Sequence, residues 1–374
     1  MKGRDLSEKL RATDARAFFQ QAAAKDPGFA LAQVGLANSS GTAKEFFDAV
    51  GRATALADKA SEPERLLICA LDAGAKGEPA RQKDCLTKLA AACPDDERAH
   101  NQMGFFHFGR QDYAAAVAEY RKATAINPAF SQPYNQMGYA YRFLGEYQEA
   151  ERAFQKYIEL IPNDPNPYDS YAEPLMKMGR FEESIKSYEK ALSVDPNFVA
   201  SYFGIGNDRV FMGQPAEARK TYAKLLRVAR NDGEKLLAHF WTAMSYVHEG
   251  KTDEAVAELQ KNAAIDQAGK DVVALAGTIG QMGNILLEAG RVDELRGRIA
   301  LAEKSYAAAA DELDQANQQD PRVLYLTAVA LQGKGDLLAA KQAGVKAADF
   351  NGLSNSYGYV REKAKAMLKT TKVN

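Results

Sequence analysis

The sequence predicts an all-α protein, built as a solenoid of antiparallel helix pairs. Three observations predict it. Between residues 97 and 198 three segments of 34 residues align without gaps. Small, aromatic and proline residues recur at fixed places within them. Glycine recurs at one further place, where the first helix of each pair must stop. A fixed period of this length is the mark of a repeat architecture, in which each unit buries its apolar face only by stacking on a neighbour.

The elements follow in chain order. "DARAFFQQAAAKDP" reads as the second helix of a pair, with Ala15, Phe19, Ala22 and Pro27 in register. Residues 28–59 and 63–94 read as two divergent pairs. The regular segments are 97–130, 131–164 and 165–198. Position 8 holds Gly104, Gly138 and Ala172, and position 20 holds Ala116, Ala150 and Ser184. Position 24 holds Tyr120, Phe154 and Tyr188, and position 32 holds Pro128, Pro162 and Pro196. Small residues at 8 and 20 let two antiparallel helices approach closely. The aromatic at 24 is expected to fill the space between one repeat and the next. The proline cannot continue a helix and ends the second one. Gly145, Gly179, Gly213 and Gly250 mark position 15.

The pattern continues more loosely at 199–232, 236–269 and 276–302, and returns at 322–350 with Ala328, Gly335, Ala340 and Ala347. Residues 355–369 read as a terminal helix with a basic outer face, suited to cap an array. Pro174 is expected to kink a first helix, because it removes one backbone hydrogen bond. Pro215 falls in the first turn of a second helix, where it is tolerated. The stretch 291–318 reads either as one continuous helix or as two helices with a turn at Lys304–Ser305. Either way one helix is shared between two repeats.

These residues resemble the tetratricopeptide repeat (TPR) family. "YNQMGYAYRFLGEYQEAERAFQKYIELIP" carries nearly every signature position. The resemblance covers most of the chain, most strongly 97–198, and implies a right-handed α-solenoid, the TPR superhelix. It also implies three regions: divergent N-terminal pairs at 1–96, a regular array at 97–302, and a C-terminal module with its capping helix at 303–374. "EFFDAVGRATALADKASEPERLL" is in addition similar to a bacterial group of TPR proteins, many with no assigned activity.

Composition excludes several functions. The net charge is −1, without the basic field that phosphate binding needs, so no nucleic-acid partner is expected. No apolar run is long enough to span a bilayer, so no membrane insertion is expected. The N-terminal residues lack the apolar core of a signal peptide. Both an exported chain whose signal has been removed and a cytoplasmic one are open. Three cysteines, Cys69, Cys85 and Cys93, do not make a disulfide framework. They read as core thiols, with a Cys69–Cys85 bridge across neighbouring helices as the alternative.

No catalytic constellation emerges, and no cofactor or metal is expected. His100 and His107 lie seven apart, whereas ligands on one helix sit three or four apart. Gly204 and Gly206 form a GxG inside a predicted helix with no strand before it, so a phosphate loop is not expected. Tyr134, Tyr141, Tyr168 and Tyr171 read as repeat packing.

The resemblance implies that first helices line a concave face through positions 2, 5, 9, 12 and 13. Carried onto this sequence, the candidate peptide-binding residues are Asn101, Phe105, Asn135, Tyr139, Arg142, Asp169, Glu173, Phe203, Asn207 and Phe240. Side-chain amides can pair both groups of an extended backbone, and rings add apolar area at low entropic cost. The alternative is that some of these rings pack against adjacent helices. A clamp for acidic C-terminal tails is not expected, because the residues at its places are Asn101, Phe105, Gln136, Asn166 and Ser170, none of them basic. The leading expectation is a non-enzymatic scaffold that binds a protein or peptide. The alternatives are a sensory or regulatory segment of a larger signalling protein and, behind both, an enzyme or small-ligand binder. Oligomeric state is not legible.

Overall fold

The computed structural model describes residues 2–9, 11–282, 284–285, 306, 309–310, 313, 321–350 and 357–370. It is all-α, with no strand among the described residues. The chain divides into two compact units, Met1–Asn163 and Asp164–Asn374.

The first unit stacks five antiparallel pairs: α1 (Lys2–Glu8) with α2 (Ala12–Lys25), α3 (Ala30–Asn38) with α4 (Ala43–Leu56), α5 (Glu62–Ala75) with α6 (Pro79–Ala92), α7 (Glu97–Gly109) with α8 (Tyr113–Ile126), and α9 (Ser131–Leu144) with α10 (Tyr147–Leu160). The second contains α11 (Asn166–Lys177) with α12 (Phe181–Val194), α13 (Val199–Phe211) with α14 (Pro215–Val228), and α15 (Asp232–His248) with α16 (Thr252–Ala268). It also contains α17 (Pro321–Lys334) with α18 (Leu337–Ala348), against which α19 (Tyr357–Thr370) packs. Residues 272–282 are helical as well. The shared-helix question at 291–318 and the 302/303 boundary lie outside the described residues.

Local chemistry sets the helix ends. Gly145 closes α9 in the left-handed region at φ 78°, where Glu146 N–H donates to Tyr141 C=O (2.9 Å) and Gly145 N–H to Arg142 C=O (3.1 Å). This crossed pair of bonds is the Schellman motif. The same pair of bonds closes α11 at Gly179, α13 at Gly213 and α15 at Gly250, with φ between 72° and 77°. In the repeat from 97 the place is taken by Gln111, at φ 61°. Second helices start under side-chain caps where the sequence provides one: Asp112 accepts from Ala115 N–H and Asp336 from Ala339 N–H. Pro215 stands in the first turn of α14 as expected. Helix α11 runs on through Pro174, and Met178 N–H still donates to the Pro174 carbonyl at 2.9 Å.

The repeat positions pack differently from the expectation in one respect. The aromatic at 24 seats against position 8 of its own repeat: a Cβ on Gly104 would overlap the Tyr120 ring, one on Gly138 the Phe154 ring, and one on Gly206 the Tyr222 ring. All three rings are fully buried. The ring therefore fills the space inside a pair, and glycine is what admits it. Tyr188 also reaches forward, onto Gly204 of the next repeat. That explains the GxG of α13: each glycine faces a tyrosine ring. Between repeats a second device recurs. Tyr134 and Tyr202, both at position 4, donate to the carbonyls of Pro128 and Pro196 that end the preceding repeat.

The cysteines take the alternative reading. Cys69 on α5 and Cys85 on α6 form a disulfide, with Cα atoms 6.0 Å apart, and Cys93 is free. Antiparallel packing of α5 on α6 brings the two Cβ atoms together. Spacing along the chain does not reveal this.

Candidate functional site

The first helices of the pairs carry the candidate side chains, and each unit holds its own set. In the first unit Asn101 is buried in α7 and donates through Nδ2 to Gln132 Oε1 of α9 at 2.8 Å. Asn135 is buried in α9. Position 5 thus faces the neighbouring repeat, and the Asn101 amide is engaged inside the protein. Phe105 and Tyr139, at position 9, are half-buried. Each makes an edge contact with the ring at position 24 of its own repeat, at 6.0 Å to Tyr120 and 5.2 Å to Phe154. Arg142 is buried, its guanidinium 4.5 Å from the centroid of Phe143 and 5.4 Å from that of Tyr139. Phe143 in turn stacks on Tyr113 at 4.6 Å.

In the second unit Asp169 is buried in α11 and accepts from the Ser201 hydroxyl of α13 at 2.7 Å. Burial pushes its carboxyl up to about 7, and the charge of half-buried Glu173 adds to the shift against the opposing Ser201 bond. Asn207 accepts from the Tyr222 hydroxyl at 2.9 Å. Phe203 stacks on Trp241 at 6.1 Å, and Phe240 is buried in the core with its edge to the same indole. Beside them Asp208, fully buried and absent from the sequence-derived set, is pushed up to about 8 by burial. The Ser184 hydroxyl opposes that shift and Glu182 adds to it.

Two histidines tie first helices to second ones. His100 Nδ1 lies 2.8 Å from Glu119, which also accepts from Lys122 (2.7 Å). In the repeat from 236 His239, Glu258 and Lys261 repeat the arrangement at 2.9 and 2.6 Å. Burial opposes ionisation of Glu119, but the bonds from Lys122 and His100 outweigh it and hold the carboxyl below its ordinary value.

A cavity of about 280 Å³ opens in the first unit where α3, α5, α6 and α7 meet. Its apolar wall includes Val34, Leu67, Leu71, Leu86 and Phe105. Its polar lining is Asn38, Gln82, Gln102 and Arg110. Of the candidate residues only Phe105 lines it. The rest were beyond sequence reasoning, because α3–α6 diverge from the repeat and offer no register to read. Gln102 stands at position 6 of a regular repeat, outside the positions 2, 5, 9, 12 and 13 read as facing the groove.

Stacked antiparallel helix pairs with a side-chain-lined opening define an α-helical repeat scaffold of the kind that supports protein interaction. Four tetratricopeptide repeat family models match, at 97–130, 131–164, 174–207 and 203–270. Across residues 97–270 the chain is a tetratricopeptide repeat protein. Solved structures with the same fold include the APC/C hetero-tetramer Cut9–Hcn1 (17% identity over 76% of this chain and 54% of that chain, TM-score 0.52) and yeast Tom70 (16%, 80% and 63%, TM-score 0.51). TTC0263, a thermophilic TPR protein of Thermus thermophilus, aligns at 19% identity over 51% of this chain and 99% of its own, with a TM-score of 0.41. No curated protein matches the sequence.

Proposed function

We propose that the chain is a non-enzymatic scaffold that holds a peptide or protein segment against the first helices of its pairs. The observation that supports this most is the open cavity between α3, α5, α6 and α7, with Phe105 in its wall and the half-buried ring of Tyr139 two helices further on. Rings left partly exposed after internal packing are the usual anchors of an interface. In the second unit Phe203, Asn207 and Glu173 keep partial exposure and serve the same role there. The buried members Asn101, Asn135, Arg142, Asp169 and Phe240 hold the helices that present them.

Selection of displayed random peptides on the immobilised chain tests the proposal. The intact chain enriches a consensus, and Phe105→Ala with Tyr139→Ala loses it while far-UV circular dichroism stays unchanged. An intact chain that enriches no consensus, or a double variant that enriches it undiminished, rejects the reading.

A further inference from the structure

We infer that the α3–α5–α6–α7 cavity is an anchor pocket for an extended peptide segment in which one large apolar side chain stands next to an acidic one. The inference rests on the scaffold reading above and goes on to name the chemistry of the partner.

Size comes first. About 280 Å³ is at or below the lower end of small-molecule sites. It accommodates one large side chain, and the wall that would receive it is apolar and drawn from several helices. The polar lining decides what surrounds that side chain. Asn38, Gln82 and Gln102 make no side-chain hydrogen bond among the described residues. Asn101, one residue from Gln102, is by contrast engaged with Gln132. Three uncommitted amides offer both donors and acceptors, which is what a peptide backbone in extended form requires. They also stand on both flanks: Asn38 ends α3, Gln102 lies on α7, and α5 runs between those helices. A backbone crossing the cavity meets partners before and after its anchor, as an internal segment needs. A chain end would use one flank only.

Charge supplies the third element. Arg110 is the one charged residue in the lining, is exposed, and pairs with no carboxylate among the described residues. No acidic side chain lines the cavity to neutralise it. A carboxylate beside the anchor would make a charge-assisted bond there, the strongest polar contact the lining offers.

The experiment selects displayed random peptides on three full-length chains: wild type, Gly109→Phe and Arg110→Glu. Peptides are presented in two formats, embedded within a loop and with free C-termini. Gly109 is exposed and a side chain there meets open space, so phenylalanine enters the mouth of the cavity without disturbing the core. Wild type is expected to enrich Leu, Phe or Met beside Asp or Glu, in the embedded format. Gly109→Phe loses that consensus, and the winning peptide, labelled and titrated by anisotropy, binds it at least about tenfold more weakly. Arg110→Glu replaces the acidic position by Lys or Arg and weakens the original peptide about tenfold. A consensus without the apolar–acidic pair, or one unchanged on both variants, overturns the anchor pocket while leaving the scaffold reading standing. Enrichment confined to free C-termini overturns the internal-segment assignment. A wild type that enriches nothing overturns both readings.

Discussion

Gln111 is the one residue at its repeat position that is not glycine among the regular pairs, and its replacement has a calculable effect. Gly145, Gly179, Gly213 and Gly250 close their first helices at φ between 72° and 78°, and Gln111 does so at 61°. A side chain in the left-handed region costs about 1–2 kcal/mol, because Cβ crowds the following carbonyl. Glycine removes that cost but gains about 0.5–1 kcal/mol of extra backbone entropy in the unfolded chain. The Gln111 side chain is exposed and makes no hydrogen bond among the described residues, so no contact is lost. Gln111→Gly should therefore stabilise the Met1–Asn163 unit by about 0.5–1 kcal/mol, a shift of roughly 1–4 °C in Tm for a unit of that size. Urea titration followed by circular dichroism measures it as a higher midpoint at unchanged m. Gly145→Ala is the reciprocal change and should destabilise by about 1 kcal/mol. A midpoint that stays or falls in Gln111→Gly would show that the turn in this repeat is set by something other than the φ penalty.

Further outcomes follow from the packing and the charges. Phe154→Ala removes a fully buried ring beside Gly138, whose missing side chain cannot fill the void, so a loss of about 3–5 kcal/mol is expected in urea titration. Asp208 is buried with its pKa raised from 3.8 to about 8. Its stabilising neutral form is fully present below the unfolded pKa, and stability falls as pH rises through the folded one. The Tm should therefore drop between about pH 4 and pH 8, and Asp208→Asn should flatten that slope in calorimetry. Glu119 has the opposite sign: its lowered pKa lends stability that is lost as pH falls below the ordinary carboxylate range, and Glu119→Gln should remove that acid-side dependence. Reducing the Cys69–Cys85 bridge, which spans 16 residues, should lower stability by about 3 kcal/mol. Alkylation should label one thiol before reduction and three after it.

Much of the fold was legible because the information is local and periodic. The glycine at position 15, the proline at 32 and the small residues at 8 and 20 each act through neighbours within a turn or across one hairpin, so a 34-residue period exposes them. The destination of the aromatic at 24 was misjudged for a related reason. Chain spacing shows that a ring and a glycine both recur, and only packing shows that Phe154 lies on Gly138 of its own repeat.

The candidate site was less legible. In the regular repeats position 5 looked like a row of polar side chains, Asn101, Asn135 and Asp169, facing a ligand, yet Asn101 turns to Gln132 and Asp169 to Ser201. A helix position fixes an azimuth, while the rotation of the next repeat decides whether that azimuth meets solvent or a neighbour. The cavity could not be read at all. Its wall joins residues from Val34 to Arg110 across four helices, most of which carry no repeat signature.

By itself, then, the amino-acid order determined the helix pairs, their ends and their family, since backbone conformation and close helix approach depend on residue type at short range. The tertiary structure alone decided that Cys69 meets Cys85, that Asp208 is sealed from water, and that Asn38, Gln82, Gln102 and Arg110 share one opening. Those are properties of distance between elements, and stacking sets that distance through volumes and angles that no single segment encodes.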